Sequence, residues 1–111
     1  MICRMWRGWT LPKNAAAYEV YLRDELFPRL QQELGPRGYR GYHVLRLDRP
    51  DETEFTTLVW FDSLESVKGF AGDDYDEAVF SEKARRLLAR IEPRAVHPQL
   101  AATSWALPSA P

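Results

Sequence analysis

Ile2 to Trp9 is a short run of large apolar and aromatic residues closed by Thr10-Leu11-Pro12, which predicts a strand ending in a turn. The period then lengthens. Tyr18, Leu22, Leu26 and Leu30 recur every four residues, with Tyr21 and Leu34 beside them. That is the apolar stripe of an amphipathic helix, which Asn14 can cap and the alanine run behind it favours. Pro28 stands inside the stripe. It lacks an amide hydrogen and clashes with the turn before it, so it predicts a kink near Arg23 and Asp24 or a break just before Pro28. Gly35-Pro36 ends the element. Strand patterns return over Gly38 to Leu47 and Glu54 to Phe61, joined by the acidic, Pro-containing connector Asp48 to Thr53, so a hairpin is expected. Asp62-Ser-Leu-Glu65 has capping-box spacing at the head of a second helix. Leu64, Val67 and Phe70 supply its apolar side, and Gly72 stops it. Ser81 can cap a further helical stretch through Ala89. Ile91 to Leu100 contains the last strand, and Pro93 and Pro98 put it at an edge.

The resulting order, β-α-β-β-α-β with right-handed crossovers, predicts an α+β, ferredoxin-like domain over residues 1–100. Its four-stranded antiparallel sheet carries helices on one face. Residues 101–111 read as a flexible tail in which Trp105 is the one anchor. Alternation assigns Cys3, Met5, Phe55, Val59 and Phe61 to the helix side of the sheet. It assigns Trp6, His43, Leu45, Leu58 and Trp60 to the other side, with Arg4 beside Trp6. An open face carrying two tryptophans and two leucines is anomalous on a monomer. A second copy covering it, in a two-fold homodimer, is the expected solution.

Composition narrows the function classes. With 111 residues, 45% hydrophobic and 28% charged, the chain has the balance of one ordinary globular domain. A net charge of −1 gives no reason to expect nucleic acid or an anionic membrane as partner. The single cysteine, Cys3, excludes an internal disulfide framework. No apolar run approaches the roughly 18 residues of a membrane span. Arg4 and Arg7 interrupt the N-terminus where a secretion signal would be apolar, so a cytoplasmic location is expected.

His43 and His97 are the only histidines and the first candidates for a base near neutral pH. On the expected alternation Arg4, Trp6, His43 and Trp60 line one aromatic, partly polar pocket, with His97 near its edge. His43 is the proposed base. Arg4 pairs either with an anionic substrate oxygen or with an acid across the dimer. Trp6, Trp9 and Trp60 read first as core or interface and, as the alternative, as walls of an aromatic pocket. Tyr39, Tyr42 and Tyr75 are further donors. The two histidines, one cysteine and scattered acids lack metal-ligand spacing, and no phosphate-binding glycine loop occurs, so no metal or cofactor is expected.

Three segments carry a family resemblance: Arg4-Met-Trp-Arg-Gly8-Trp, Gly38-Tyr-Arg-Gly41, and Phe61-Asp-Ser-Leu-Glu-Ser-Val-Lys-Gly-Phe-Ala-Gly-Asp-Asp-Tyr75. With Val96-His97 near the end, they resemble the antibiotic biosynthesis monooxygenase family of dimeric α/β-barrel proteins over residues 2–98. The resemblance implies a homodimer with facing sheets and a pocket between each sheet and its helices or at the barrel mouth. It also implies oxygenation of a phenolic or quinol-like ring without metal or flavin. A non-catalytic, ligand-binding or stress-related protein of the same fold is the alternative. A haem-degrading subgroup shares the topology, but Phe70 and Phe80 stand at or near the places of its Trp and His.

Overall fold

The computed structural model describes residues 1–105. Four strands, β1 (Ile2–Thr10), β2 (Tyr39–Asp48), β3 (Thr53–Phe61) and β4 (Leu88–Ile91), form one antiparallel sheet in the order β2-β3-β1-β4. Helices α1 (Ala15–Tyr21) and α2 (Phe27–Leu34) follow β1, while α3 (Leu64–Ala71) and α4 (Glu82–Leu87) follow β3. The architecture is α+β with an open sheet, compatible with the ferredoxin-like arrangement. No helix among the described residues is long and apolar enough to cross a membrane. Residues 106–111 of the expected tail lie outside the described residues.

The Pro28 kink takes a specific form. Between α1 and α2 the backbone makes one wide π-type turn, Leu22–Leu26, in which the Phe27 amide donates to the Leu22 carbonyl. Pro28 falls just after this turn, at the start of α2, where the widened backbone accommodates a residue with no amide hydrogen to donate. The wider turn absorbs the misfit without interrupting the helical run. The apolar stripe therefore stays on one face, and Tyr18, Leu22, Phe27 and Leu30 all reach the core. Tyr18 packs edge-on against Phe55 with centroids 5.0 Å apart, and Phe27 stacks on Tyr42 at 3.9 Å. Burying each such side chain is worth roughly 1.5–3 kcal/mol.

Three element boundaries differ from expectation. The cap of α3 is Ser63, whose hydroxyl accepts from the Ser66 amide, because Asp62 is occupied in an ion pair with Arg40 on β2. Ser81 caps α4 through the Ala84 amide as expected, but that helix ends at Leu87, where Leu88 turns directly into β4. The last strand therefore starts earlier than Ile91. Beyond it the chain continues along the β1 edge through single bridges at Met5–Val96 and Ile2–Gln99. Pro93 and Pro98 have no amide to donate, which breaks this edge into pieces.

The faces of β1 are the main correction. Pairing sets Arg4 opposite Val59, Trp6 opposite Thr57 and Gly8 opposite Phe55. Val59 and Phe55 belong to the helix-packed core, so Arg4 and Trp6 lie under the helices. Cys3 and Met5 stand opposite Trp60 and Leu58 on the open face. Both alternations of β1 carry large apolar groups, so hydrophobicity alone does not set the phase. Gly8 holds the signal that does. A Cβ there would sit 2.9 Å from the edge of the Trp6 ring and 3.0 Å from Leu88, so the indole lies over a backbone position kept bare for it.

Gly38 joins α2 to β2 at a φ of 103°, where other residues are strained. A Cβ there would also overlap the Ser66 hydroxyl of α3. Gly38→Ala is therefore expected to destabilise the fold by about 1–3 kcal/mol, read as a lowered chemical-denaturation midpoint. An unchanged midpoint would show that the junction tolerates a side chain.

Candidate functional site

Between α1, α2 and the sheet lies a cavity of about 280 Å³. That is at the lower end of the usual small-molecule range of roughly 300–1,000 Å³, which suits one or two rings. Its walls are mostly apolar, with Leu22, Leu26, Phe27 and Leu30 from the helical run and Val59 and Phe70 facing them. Trp6 lines one side and stacks on Phe80, centroids 6.3 Å apart. The Trp6 indole nitrogen donates to the Glu92 carbonyl at 2.7 Å, which fixes the ring. Tyr21 and Ser81 share a hydrogen bond of 2.7 Å at the wall. Tyr18 also lines the cavity, and burial pushes its phenol well above the ordinary range, so it is present as a neutral donor.

Arg4 is the buried charged group of this cavity, whose lining also includes the exposed Arg29 and Glu33 of α2. It is only 4% exposed and projects from β1 under the helices. Among the described residues no carboxylate forms an ion pair with it. Its guanidinium instead donates to the backbone carbonyls of Tyr75 and Glu77, the latter at 2.8 Å, and packs 5.4 Å from the Phe70 ring centroid. Burial lowers its pKa and Asp76 opposes that shift, yet an arginine remains cationic throughout the physiological range. A buried cation held mainly by neutral acceptors has unspent capacity for an anion.

His97 joins Arg4 from the broken edge strand. Its Nε2 lies 3.0 Å from an Arg4 nitrogen, and its Nδ1 lies 3.1 Å from the Asp76 carboxylate. Arginine only donates, so Nε2 must accept and the imidazole proton must sit on Nδ1, facing Asp76. Asp76, His97 and Arg4 thus form a chain leading from the surface to the cavity. The His97 pKa is lowered from its ordinary value of 6.5, first by burial and then by the Arg4 charge, with Asp76 acting against both.

The expected four-residue pocket is divided by the sheet. Arg4 and Trp6 face the cavity, with His97 behind Arg4. His43 and Trp60 lie on the open face, where the Trp60 indole donates to His43 Nδ1 at 3.0 Å. His43 therefore has no path to the cavity except through the sheet. Among the other donors, Tyr39 packs edge-on against Phe61 in the core and Tyr42 is covered by Phe27, while Tyr75 supplies its carbonyl to Arg4. Trp9 is held by Glu54 and covered by the Arg90 guanidinium 3.7 Å from its ring centroid, a packing role on the open face. Cys3 is buried and its thiol is pushed up to about 11 by that burial, so it is not an activated nucleophile. Sequence reasoning missed Asp76, because nothing in the acidic stretch Asp73 to Glu77 distinguishes it before the chain folds. Among the described residues no group of three or more His, Cys, Asp or Glu is placed to hold a metal ion.

Because the His97 pKa is lowered in the fold, the unfolded chain binds more protons near neutrality. The stability that neutral His97 contributes is full above its unfolded value of 6.5 and is lost as pH falls through the lower folded value. Wild-type stability is expected to drop between about pH 7 and pH 5, more steeply than that of His97→Gln. Parallel denaturation curves for the two proteins over that range would remove His97 from this account. Compared with known proteins, the chain matches no family model and no curated protein.

Proposed function

We propose that this protein binds a small aromatic or quinol-like compound in the helix-side cavity and oxidises it with dioxygen without a cofactor. In this reading two ferredoxin-like domains pair through their open faces as a dimeric α/β barrel. The observation that carries the ligand assignment is Arg4, a buried cation without a carboxylate partner among the described residues, set in an aromatic and aliphatic cavity. Such a wall favours the ionised form of a phenolic or enolic oxygen, and the ionised ring is the electron donor to dioxygen. The chemistry balances with an activated methylene as substrate. Two C–H bonds break, one oxygen atom becomes the new carbonyl, and the other leaves as water with the two hydrogens. The substrate supplies all the electrons. The resemblance of the Arg4 to Trp9 and Phe61 to Tyr75 segments to the antibiotic biosynthesis monooxygenases supports the same reading.

A binding-only role is the second reading, and one observation favours it. His43, the expected base, is on the far side of the sheet from the cavity. Oxygen uptake by metal-free protein with a panel of quinols and anthrones separates the two. Turnover is expected, with Arg4→Met losing about 10²-fold or more while His43→Ala retains activity; melting temperatures of both variants control for folding. Tight ligand binding with no turnover across the panel would leave the binding-only reading.

The dimer rests on the open face. Leu45 is 53% exposed and Val96 57%, beside partly covered Met5, Leu58 and Trp60. Light scattering at micromolar concentration is expected to give twice the 12.9 kDa chain mass, and Leu45→Glu to give the single chain. A wild-type monomer would end the barrel assignment.

A further inference from the structure

The Asp76–His97–Arg4 chain does more than anchor a loop. Arg4 reaches the cavity from one side of the sheet edge, while Asp76 opens to solvent at the other end. His97 stands between them with its side chain only 6% exposed. The two ring nitrogens face different partners, and only one protonation state satisfies both. Neutral His97 accepts from Arg4 and donates to Asp76. Protonated His97 would present N–H to N–H at the Arg4 contact, where two like charges would stand 3.0 Å apart. Arg4 would then lose that acceptor, and one of its N–H groups would be released.

We propose that the Asp76–His97 pair is a proton-linked support for Arg4, so that an aromatic anion in the cavity and a proton on His97 favour each other. An anion beside the guanidinium supplies the acceptor that protonated His97 withdraws, and it screens the repulsion between the two cations. The groups facing His97 are Arg4 from β1 and Asp76 and Tyr75 from the segment between α3 and α4, the Tyr75 ring lying edge-on at 5.2 Å. Lys68 of α3 lies over the Tyr75 ring, 5.9 Å from its centroid. By linkage, the affinity for a ligand whose own charge stays constant must rise as pH falls through the His97 titration. Asp76 is a positioning residue here. It holds the Nδ1 proton and so keeps the Nε2 lone pair on Arg4.

The inference rests on the cavity being an anion site, as proposed above, but not on any turnover. Benzenesulfonate is a suitable probe because it is aromatic, small and anionic at every pH used. Calorimetry is expected to show tighter binding at about pH 5 than at about pH 8 by roughly five-fold or more. In parallel, the His97 imidazole resonances should titrate at higher pH with benzenesulfonate than without it. His97→Gln, whose amide oxygen still accepts from Arg4, should bind with no such pH dependence. Asp76→Asn removes the charge that favours the imidazolium and should move the dependence to lower pH, a shift that a merely structural residue would not produce. Binding that is equal at both pH values, or a pH dependence that survives in His97→Gln, overturns the proton linkage alone. Absence of benzenesulfonate binding at either pH overturns both the linkage and the anionic reading of the cavity.

Discussion

The burial of one arginine organises the cavity side of this molecule. Placing the Arg4 guanidinium under the helices removes it from water, and that cost is met by two backbone carbonyls, a histidine nitrogen and an aromatic face. Those partners come from far along the chain. The segment after α3 must be bent so that the Tyr75 and Glu77 carbonyls converge on one point, and the broken edge strand must bring His97 beside them. The same segment supplies Val79, Phe80 and Ser81 to the cavity wall. The polar requirement of a single side chain thus sets the position of one end of the cavity.

The sheet divides the chemistry in two. On the helix side, packed rings and aliphatic side chains enclose a space of about 280 Å³ with Arg4 in its wall. On the open side, His43 and Trp60 satisfy each other, and Trp9 is covered by Arg90. A period of two residues makes this separation absolute, because neighbouring side chains in a strand point to opposite faces. A histidine one position along β2 would have entered the cavity side. At its actual position His43 lies on the opposite face, against Trp60.

The helical run shows how local strain is accommodated without loss of the core. Pro28 forbids a regular α-turn around Asp24, and the π-type turn widens the backbone there instead of breaking it. The stripe from Tyr18 to Leu34 keeps one face toward the sheet and forms the roof of the cavity.

Much of the fold was legible because its signals are local. The four-residue recurrence from Tyr18 to Leu30, the hairpin connector at Asp48 to Thr53, the Ser81 cap and the proline-weakened edge each depend on neighbours in the chain. That Arg4, a charged residue within an apolar strand, would need polar partners was also legible, since charge and position within a strand are properties of one segment. What only the tertiary structure decided was phase and partnership. Both alternations of β1 are apolar enough to face inward, so pairing with β3 and the close fit of Trp6 over Gly8 settled which one does. Likewise Asp76 and His97 are separated by a helix, a strand and a proline. Their meeting at Arg4 depends on long-range closure that no local pattern encodes, because a buried cation selects its acceptors by position in space and not by distance along the chain.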